Sequence, residues 1–215
     1  MKTAAIILAA GFSSRMGRDK AFLRLDGLTA LERVVATHRS AGTERITVVA
    51  GRNAEAIGRL GLDVDVIVNR KPEAGMYSSV RLAVAALDGA EEGFKNCFFI
   101  HPVDIPLVGP QTLLALTEAA QRHHAADVFI PVFDDRRGHP PLLRDALKQS
   151  ILDDPGAGGL RAVLASCRQY ELACRDEAVI LEMNCPEQYE RLKKNYFLAG
   201  AIAHHGPTDN ERRVH

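Results

Sequence analysis

The sequence predicts an α/β protein built on a mostly parallel sheet with helices on both faces. Three observations carry that expectation. Short apolar runs alternate with segments of helical periodicity through most of the 215 residues. The first run, Ala4 to Ala10, is continuously apolar rather than alternating, as strands covered on both faces are. Turn residues, chiefly glycine, separate one run from the next. Such sheets have right-handed crossovers and gather ligands at the C-terminal ends of their strands.

Each element has its own signal. Ala4 to Ala10 is the first strand, and Gly11 turns the chain into a loop reaching Lys20. Ala21 to Leu25 is a short extended piece closed by Asp26-Gly27. Thr29 caps a helix, with Glu32 completing a capping box; Leu31, Val34, Val35 and His38 share one face, and Gly42 ends it. Arg45 to Ala50 is the second strand, and Gly51 leads into a short helix from about Asn53 to Leu60. Val64 to Val68 is a third strand, followed by a loop from Asn69 to Met76. Ser78 and Ser79 open a helix running to about Leu87. Asn96 to His101 is an apolar strand, and a helix follows from about Pro110 to His123, with proline in its first turn.

Asp127 to Val132 is a strand. Gly138 to Leu143 is another, and it departs from the alternation, which leaves an antiparallel placement open. Helices are expected over Arg144 to Ile151 and Gly159 to Ala165. Ala178 to Met183 is expected as the last strand, and Pro186 opens a helix ending near Asn195. From Tyr196 the rhythm is lost. Residues 1–195 therefore read as one domain and 196–215 as a C-terminal tail, either a partly disordered appendage or the start of a further segment.

Composition narrows the function classes. Apolar residues make up 47%, enough for a substantial core. The net charge is zero, which argues against a nucleic-acid binder working through bulk positive charge, and tryptophan is absent. The cysteines, Cys97, Cys167, Cys174 and Cys185, form no C-x-x-C and read as reduced structural residues. The first apolar stretch is too short for a signal peptide's apolar region, and no run has the length of a membrane span. The expectation is a cytoplasmic enzyme with no nucleic-acid or membrane partner.

The chemistry gathers first in Leu8-Ala9-Ala10-Gly11-Phe12-Ser13-Ser14-Arg15-Met16-Gly17-Arg18-Asp19-Lys20. Gly11 and Gly17 permit backbone conformations that let amides converge on an anion. Ser13 and Ser14 add hydroxyl donors, Arg15 can fork onto phosphate oxygens, and Lys20 is a point charge. The loop suits a triphosphate, yet it matches neither the P-loop pattern nor the G-x-G-x-x-G fingerprint. The second anchor is Asp104, just past a buried apolar strand. A carboxylate there is costly unless it is used, and it is placed to hold Mg2+ against phosphates.

These motifs resemble the L-A-A-G-x-S-x-R-M-G-x-x-K signature of nucleotidyltransferases similar to molybdenum cofactor cytidylyltransferase and its guanylyltransferase relatives. Every fixed position is met from Leu8 to Lys20, and His101 to Val108 resembles the family's Asp-x-Pro segment. The resemblance spans roughly residues 3 to 195. It implies a Rossmann-like three-layer nucleotidyltransferase sheet, and a nucleotide held by Leu8, Ala9, Ala10, Gly11, Ser13, Ser14, Arg15, Lys20, Asn69 and Ser79. It implies catalytic roles for Arg15, Lys20 and Asp104, with Mg2+ as cofactor. Relatives read D-x-D-T-P-E-D where this chain has Glu182, Asn184, Pro186 and Glu187. Asn184 is therefore open to two readings, a neutral metal ligand or the N-cap of the helix at Pro186. Gly75, Met76 and Ser78 resemble the family's region near the second substrate, and Arg137-Gly138-His139-Pro140 resembles its R-G-H-P motif on the pterin side. Gly158-Gly159-Leu160-Arg161 resembles a G-D-x-G-A-R segment loosely, and Arg161 could meet an anionic substrate.

The resemblance implies transfer of a nucleoside monophosphate from an NTP to a phosphorylated acceptor, with pyrophosphate released. CTP is favoured because Ala10 stands where guanylyltransferases have a second glycine, and molybdopterin is the implied acceptor, with a molybdenum hydroxylase as client. Guanylyl transfer from GTP and transfer to a sugar phosphate or methylerythritol phosphate are rival readings. A rival of another class is a non-catalytic nucleotide-binding accessory protein, which would be expected to lose Lys20 or Asp104; both are present.

Overall fold

A computed structural model describes residues 1–87 and 97–203, with side chains described through residue 194. The chain forms strand β1 (Thr3–Ala9), the hairpin β2 (Arg24–Leu25) and β3 (Leu28–Thr29), and helix α1 (Ala30–Ser40). Then come β4 (Arg45–Ala50), α2 (Ala54–Gly58), β5 (Asp65–Val68), α3 (Met76–Leu87), β6 (Cys97–Pro102) and α4 (Pro110–Arg122). The second half holds β7 (Val128–Phe133), β8 (Arg136–Arg137), β9 (Leu142–Arg144), α5 (Lys148–Asp153), α6 (Gly159–Ala165), β10 (Gln169–Ala173) and α7 (Pro186–Ala203).

The main sheet runs β10-β7-β9-β6-β1-β4-β5, with β8 pairing to β7. β1 pairs parallel with β4 and β6, β4 parallel with β5, and β10 parallel with β7. β9 lies antiparallel between β6 and β7, the placement its break in the alternation left open. All seven residues of β1 are buried, because both faces of the strand are covered. Ala5 and Ile7 pack with Leu31 and Val34 of α1, Ile57 of α2 and Leu113 and Leu116 of α4. Ala4, Ile6 and Leu8 pack on the opposite side with Val80 and Val84 of α3, Ile151 of α5 and Val163 of α6. A continuous apolar run thus serves two cores through the two-residue period of a strand.

From β1 the chain winds outward to β4 and β5, then crosses over the other face to β6 on β1's far side. The reversal leaves a crevice at the C-terminal ends of β1 and β6, the place where open α/β sheets bind ligands. Capping is as the sequence predicts at α1: Glu32 N–H donates to Thr29 Oγ1 at 3.2 Å, and Thr29 N–H donates to Glu32 Oε2 at 2.6 Å.

Three expectations need correction. Residues 178–183 form no strand; Glu177–Ile180 is a short 3-10 turn whose Ala178 and Val179 are buried in the core. Their apolar character reflects burial under a turn, and the edge strand is β10, whose half-exposed pattern carries a weaker signal. Helix α3 starts at Met76, ahead of Ser78, whose Oγ donates to Gly75 O at 2.7 Å within the first turn. Helix α7 continues past Asn195 to Ala203. The tail from 204 onward and the expected strand start at Asn96 lie outside the described residues. Among the described residues no helix is long and apolar enough to cross a membrane.

Candidate active site

The loop after β1 is a tight turn. Ser13 O accepts the amides of Met16 and Gly17 at 3.0 and 3.1 Å, and Ser13 Oγ accepts Lys20 N–H at 3.2 Å. Met16 is buried and anchors the loop, while Ser14, Arg15 and Arg18 face solvent. Left-handed backbone falls at Ser13 (φ 49°) and Gly17 (φ 67°). Gly11 therefore does not serve through left-handed backbone, the role the sequence suggests for it. A Cβ on Gly11 would meet nothing within 4 Å, so the chain is open to the crevice there.

Below the loop lies a cavity of about 170 Å³ lined by Leu8 to Gly11, Ser13, Asp19, Lys20, Pro72, Gly75, Met76, Ser79 and Pro102 to Asp104. It brings together the ends of β1 and β6 and the segment entering α3, as the parallel topology requires. Asn69, expected to bind nucleotide, lies behind this wall. Its Nδ2 donates to Ser78 Oγ and Ser79 Oγ at 2.9 Å each, and its Oδ1 accepts Lys71 N–H at 2.9 Å. It ties the loop at Lys71 to the first turn of α3, which carries Ser79.

At the crevice floor Lys20 Nζ donates to Asp104 Oδ2 at 2.8 Å and to Asn184 Oδ1 at 2.6 Å. Three residues far apart in the chain meet at one ammonium. Asn184 Nδ2 donates to Glu182, and Met183 N–H donates to Asp104 O at 2.9 Å, stitching the two loops together by main chain. Asn184 follows the 3-10 turn rather than a strand end, yet it reaches the same point. Asp104 Oδ2 and Asn184 Oδ1 form a hard, oxygen-only pair converging on one cation. That donor set fits Mg2+, which takes one or two protein oxygens and leaves phosphates and water to complete its shell. Among the described residues no cluster of three or more histidine, cysteine or acidic residues is suited to a metal, so protein donors alone make no closed cage.

Buried histidines brace the Asp104 turn. His101 Nε2 lies 2.9 Å from Ile105 O, His38 Nε2 lies 3.0 Å from His101 Nδ1, and His38 Nδ1 lies 3.2 Å from Thr43 Oγ1. The carbonyl can only accept, so His101 donates through Nε2; with burial keeping both rings neutral, its Nδ1 then accepts from His38 Nε2. Burial holds His101 down to about 4 and His38 well below the ordinary histidine value. His38 appears in the sequence only as part of a helix face.

The R-G-H-P stretch divides. Arg137 is exposed and paired to Glu171 of β10, with Nε–Oε1 2.6 Å, so it does not line the cavity. Gly138 is wedged against Val179, which a Cβ would meet at 2.6 Å. His139 N–H donates to Val179 O at 2.8 Å, and its Nδ1 is buried without a hydrogen-bond partner. Burial lowers its pKa, and the charges of Glu182 and Asp104 act to raise it. Arg161 is exposed on α6, a helix packed on α3 and α5 outside the cavity wall. Asp19, at an unspecified position of the loop signature, and Asn53, outside any motif, hold the loop from below.

The model of a MobA-like NTP transferase domain matches residues 5–173. A molybdenum cofactor guanylyltransferase of Xanthomonas euvesicatoria pv. vesicatoria (strain 85-10) is 31% identical over 191 residues, covering 87% of this chain and 92% of that protein. A molybdenum cofactor cytidylyltransferase of Escherichia coli (strain K12) is 24% identical, covering 89% and 95%. Bifunctional GlmU proteins also match; this chain spans 39% of the one from Roseobacter denitrificans, at 30% identity. The solved structure of Rv0371c from Mycobacterium tuberculosis H37Rv superimposes with a TM-score of 0.78 at 26% identity, covering 91% of this chain and 98% of that one. The same mycobacterial protein has been solved as a complex with manganese. With the family's domain matched over most of its length and its three-layer sheet in place, this chain belongs to the MobA-like NTP transferase family and is a nucleotidyltransferase.

Proposed function

We propose that the protein transfers a cytidylyl group from CTP to molybdopterin and releases pyrophosphate. The observation that carries the reading is the Lys20 ammonium held between Asp104 and Asn184 at the crevice floor, under a loop rich in phosphate-binding groups. A phosphomonoester oxygen of the acceptor forms the new bond to the α-phosphorus, and the bond to the pyrophosphate oxygen breaks. The attacking oxygen is already anionic at neutral pH, so no protein nucleophile or base is needed. Catalysis then rests on positioning and on stabilising charge. Arg15 folds onto the β- and γ-phosphates. Lys20 leaves its two oxygens for the α-phosphate and stabilises the charge that grows there. Asp104 and Asn184 would hold Mg2+, whose chemistry when bound is to neutralise phosphate charge. A protein of the same fold has been solved as a complex with manganese, which supports a divalent cation as cofactor. Gly75 and Met76 line the cavity on the acceptor side, with Ser78 in the same turn of α3 and His139 behind it; Arg161, on α6, and Arg137, paired to Glu171, stay outside it. The product would serve a molybdenum hydroxylase in the cytoplasm.

CTP is supported by Ala10, whose methyl narrows the cavity wall. Guanylyl transfer from GTP is the second reading, favoured by the higher identity to a guanylyltransferase. Thermal denaturation with CTP, GTP, ATP and UTP, each with and without Mg2+, decides between them. A ligand that binds only the native state raises the melting temperature. A Mg2+-dependent shift with CTP is expected, followed by pyrophosphate release on adding molybdopterin. A shift with GTP alone would move the assignment to guanylyl transfer, and a turnover requirement for a sugar phosphate would move the acceptor.

A further inference from the structure

We infer that Asn53 is a positioning residue for the reaction, acting through Asp19 to aim Lys20. Asn53 stands after the end of β4, in a stretch without a motif, and every polar atom of its side chain is committed. Its Nδ2 donates to Ala9 O, at the last residue of β1, at 2.9 Å, and to Asp19 Oδ2 at 2.7 Å. Its Oδ1 accepts Gly51 N–H at 2.9 Å. One amide thus joins two strand ends to the far end of the phosphate loop. Asp19 passes the constraint on, because its Oδ1 accepts Ala21 N–H at 3.0 Å and caps the 3-10 turn Lys20–Phe22. Ser13 Oγ holds Lys20 N–H from the other side. The backbone of Lys20 is therefore gripped on both flanks while its Nζ reaches Asp104 and Asn184. Gly51 lets the two strand ends close on each other, since a Cβ there would lie 2.9 Å from Ala10 O. A lysine side chain has four rotatable bonds and no fixed direction of its own. Its aim must come from the backbone that carries it, and Asn53 is what seats that backbone on the sheet.

The inference rests on Lys20 acting in nucleotidyl transfer, so the test separates the two. Asn53→Ser keeps an acceptor for Gly51 N–H and removes both amide donors. Steady-state pyrophosphate release with CTP, Mg2+ and molybdopterin, and CTP affinity by calorimetry, are measured for Asn53→Ser, Lys20→Ala and the exchange Asn53→Asp with Asp19→Asn. Misplacing a catalytic group by a fraction of an ångström costs on the order of tenfold or more in rate. The expected result is a kcat about tenfold lower in Asn53→Ser with CTP affinity little changed. Asn53→Asp alone, which sets two carboxylates together, is slower still, and adding Asp19→Asn recovers the part of the loss that comes through the bond between positions 53 and 19, while Ala9 O stays without its donor. Hydrogen exchange without substrate gives an independent readout: amides of residues 16–22 exchange faster in Asn53→Ser, and those of the other loops do not.

A slow Lys20→Ala beside a normal Asn53→Ser would overturn the positioning role alone. A normal Lys20→Ala would overturn that role and the proposed chemistry together. Should Asn53→Ser not fold, the exchange variant carries the test, and failure of Asp19→Asn to recover rate from Asn53→Asp counts against the inference. If the wild type shows no turnover with these substrates, unchanged exchange at residues 16–22 overturns the clamp, and faster exchange confined there upholds it.

Discussion

The Lys20 centre and the Arg137–His139 stretch are both short motifs with charged groups, and the fold treats them differently. At the centre, Lys20, Asp104 and Asn184 come from three loops and converge on one point. In the other stretch three consecutive residues part company: Arg137 turns out to Glu171, Gly138 is wedged on Val179, and His139 is buried near Glu182 and Asp104. For Lys20 and Asp104 the first arrangement follows from the parallel strands β1 and β6, whose C-terminal ends lie at one edge, and the bond from Met183 N–H to Asp104 O brings Asn184 to the same point. The second follows from the end of β8 at Arg137: Gly138 and His139 leave the strand into a bend, so Arg137 and His139, which an unbroken strand would place on one face, part. A motif is a statement about spacing; whether its members share a site depends on the element that carries them.

Predictions that sharpen or break this contrast run from large to small. Asp104→Ala should lower kcat by about a thousandfold or more while the far-ultraviolet dichroism and melting cooperativity are kept, since in the proposed reaction it removes a carboxylate at the point of bond change. Retained turnover would end the contrast at its root. Lys20→Ala should lower kcat by about a hundredfold and change CTP affinity less, because its charge is needed most as bonds change; calorimetry beside kinetics separates the two.

The bracing histidines give a pH signature. His101 is held near 4 in the fold against 6.5 ordinarily, so the unfolded chain takes the proton first as pH falls. The stability this gives is complete above pH 6.5 and is lost as pH falls toward 4, about 3 kcal/mol in all. Urea denaturation from pH 7.5 to 4.5 should show the loss, and the difference from His101→Asn isolates it. Equal slopes in both proteins would remove His101 as the cause.

In the other stretch, Gly138→Ala should cost about 1–3 kcal/mol of stability through overpacking on Val179, read from denaturant midpoints. Arg137→Ala should change stability by no more than about 0.5 kcal/mol, as an exposed pair does, and leave kcat within about twofold. A large kinetic loss in that variant would put Arg137 in the site and erase the contrast.

The phosphate loop, the Asp104 turn and the capped helix α1 were legible because each rests on local chemistry: glycine and hydroxyl spacing, a carboxylate after an apolar run, a Thr-x-x-Glu box. Residues 178–183 misled because a buried turn and a buried strand are equally apolar, and β10 was missed because an edge strand is not. Asn53 and His38 were invisible as site residues, since nothing in their neighbourhood along the chain says what lies across from them.

By itself the sequence determined the alternation of strands and helices, the two-faced burial of β1 and the chemical character of its loop, all properties of residues within a few positions of one another. Only the tertiary structure decided that Asn184 would face Lys20, that Arg137 and His139 would separate, and that Asn53 would grip Asp19. The Lys20–Asn184 and Asn53–Asp19 bonds join segments as many as 164 residues apart, and which segments meet is chosen by strand order and register.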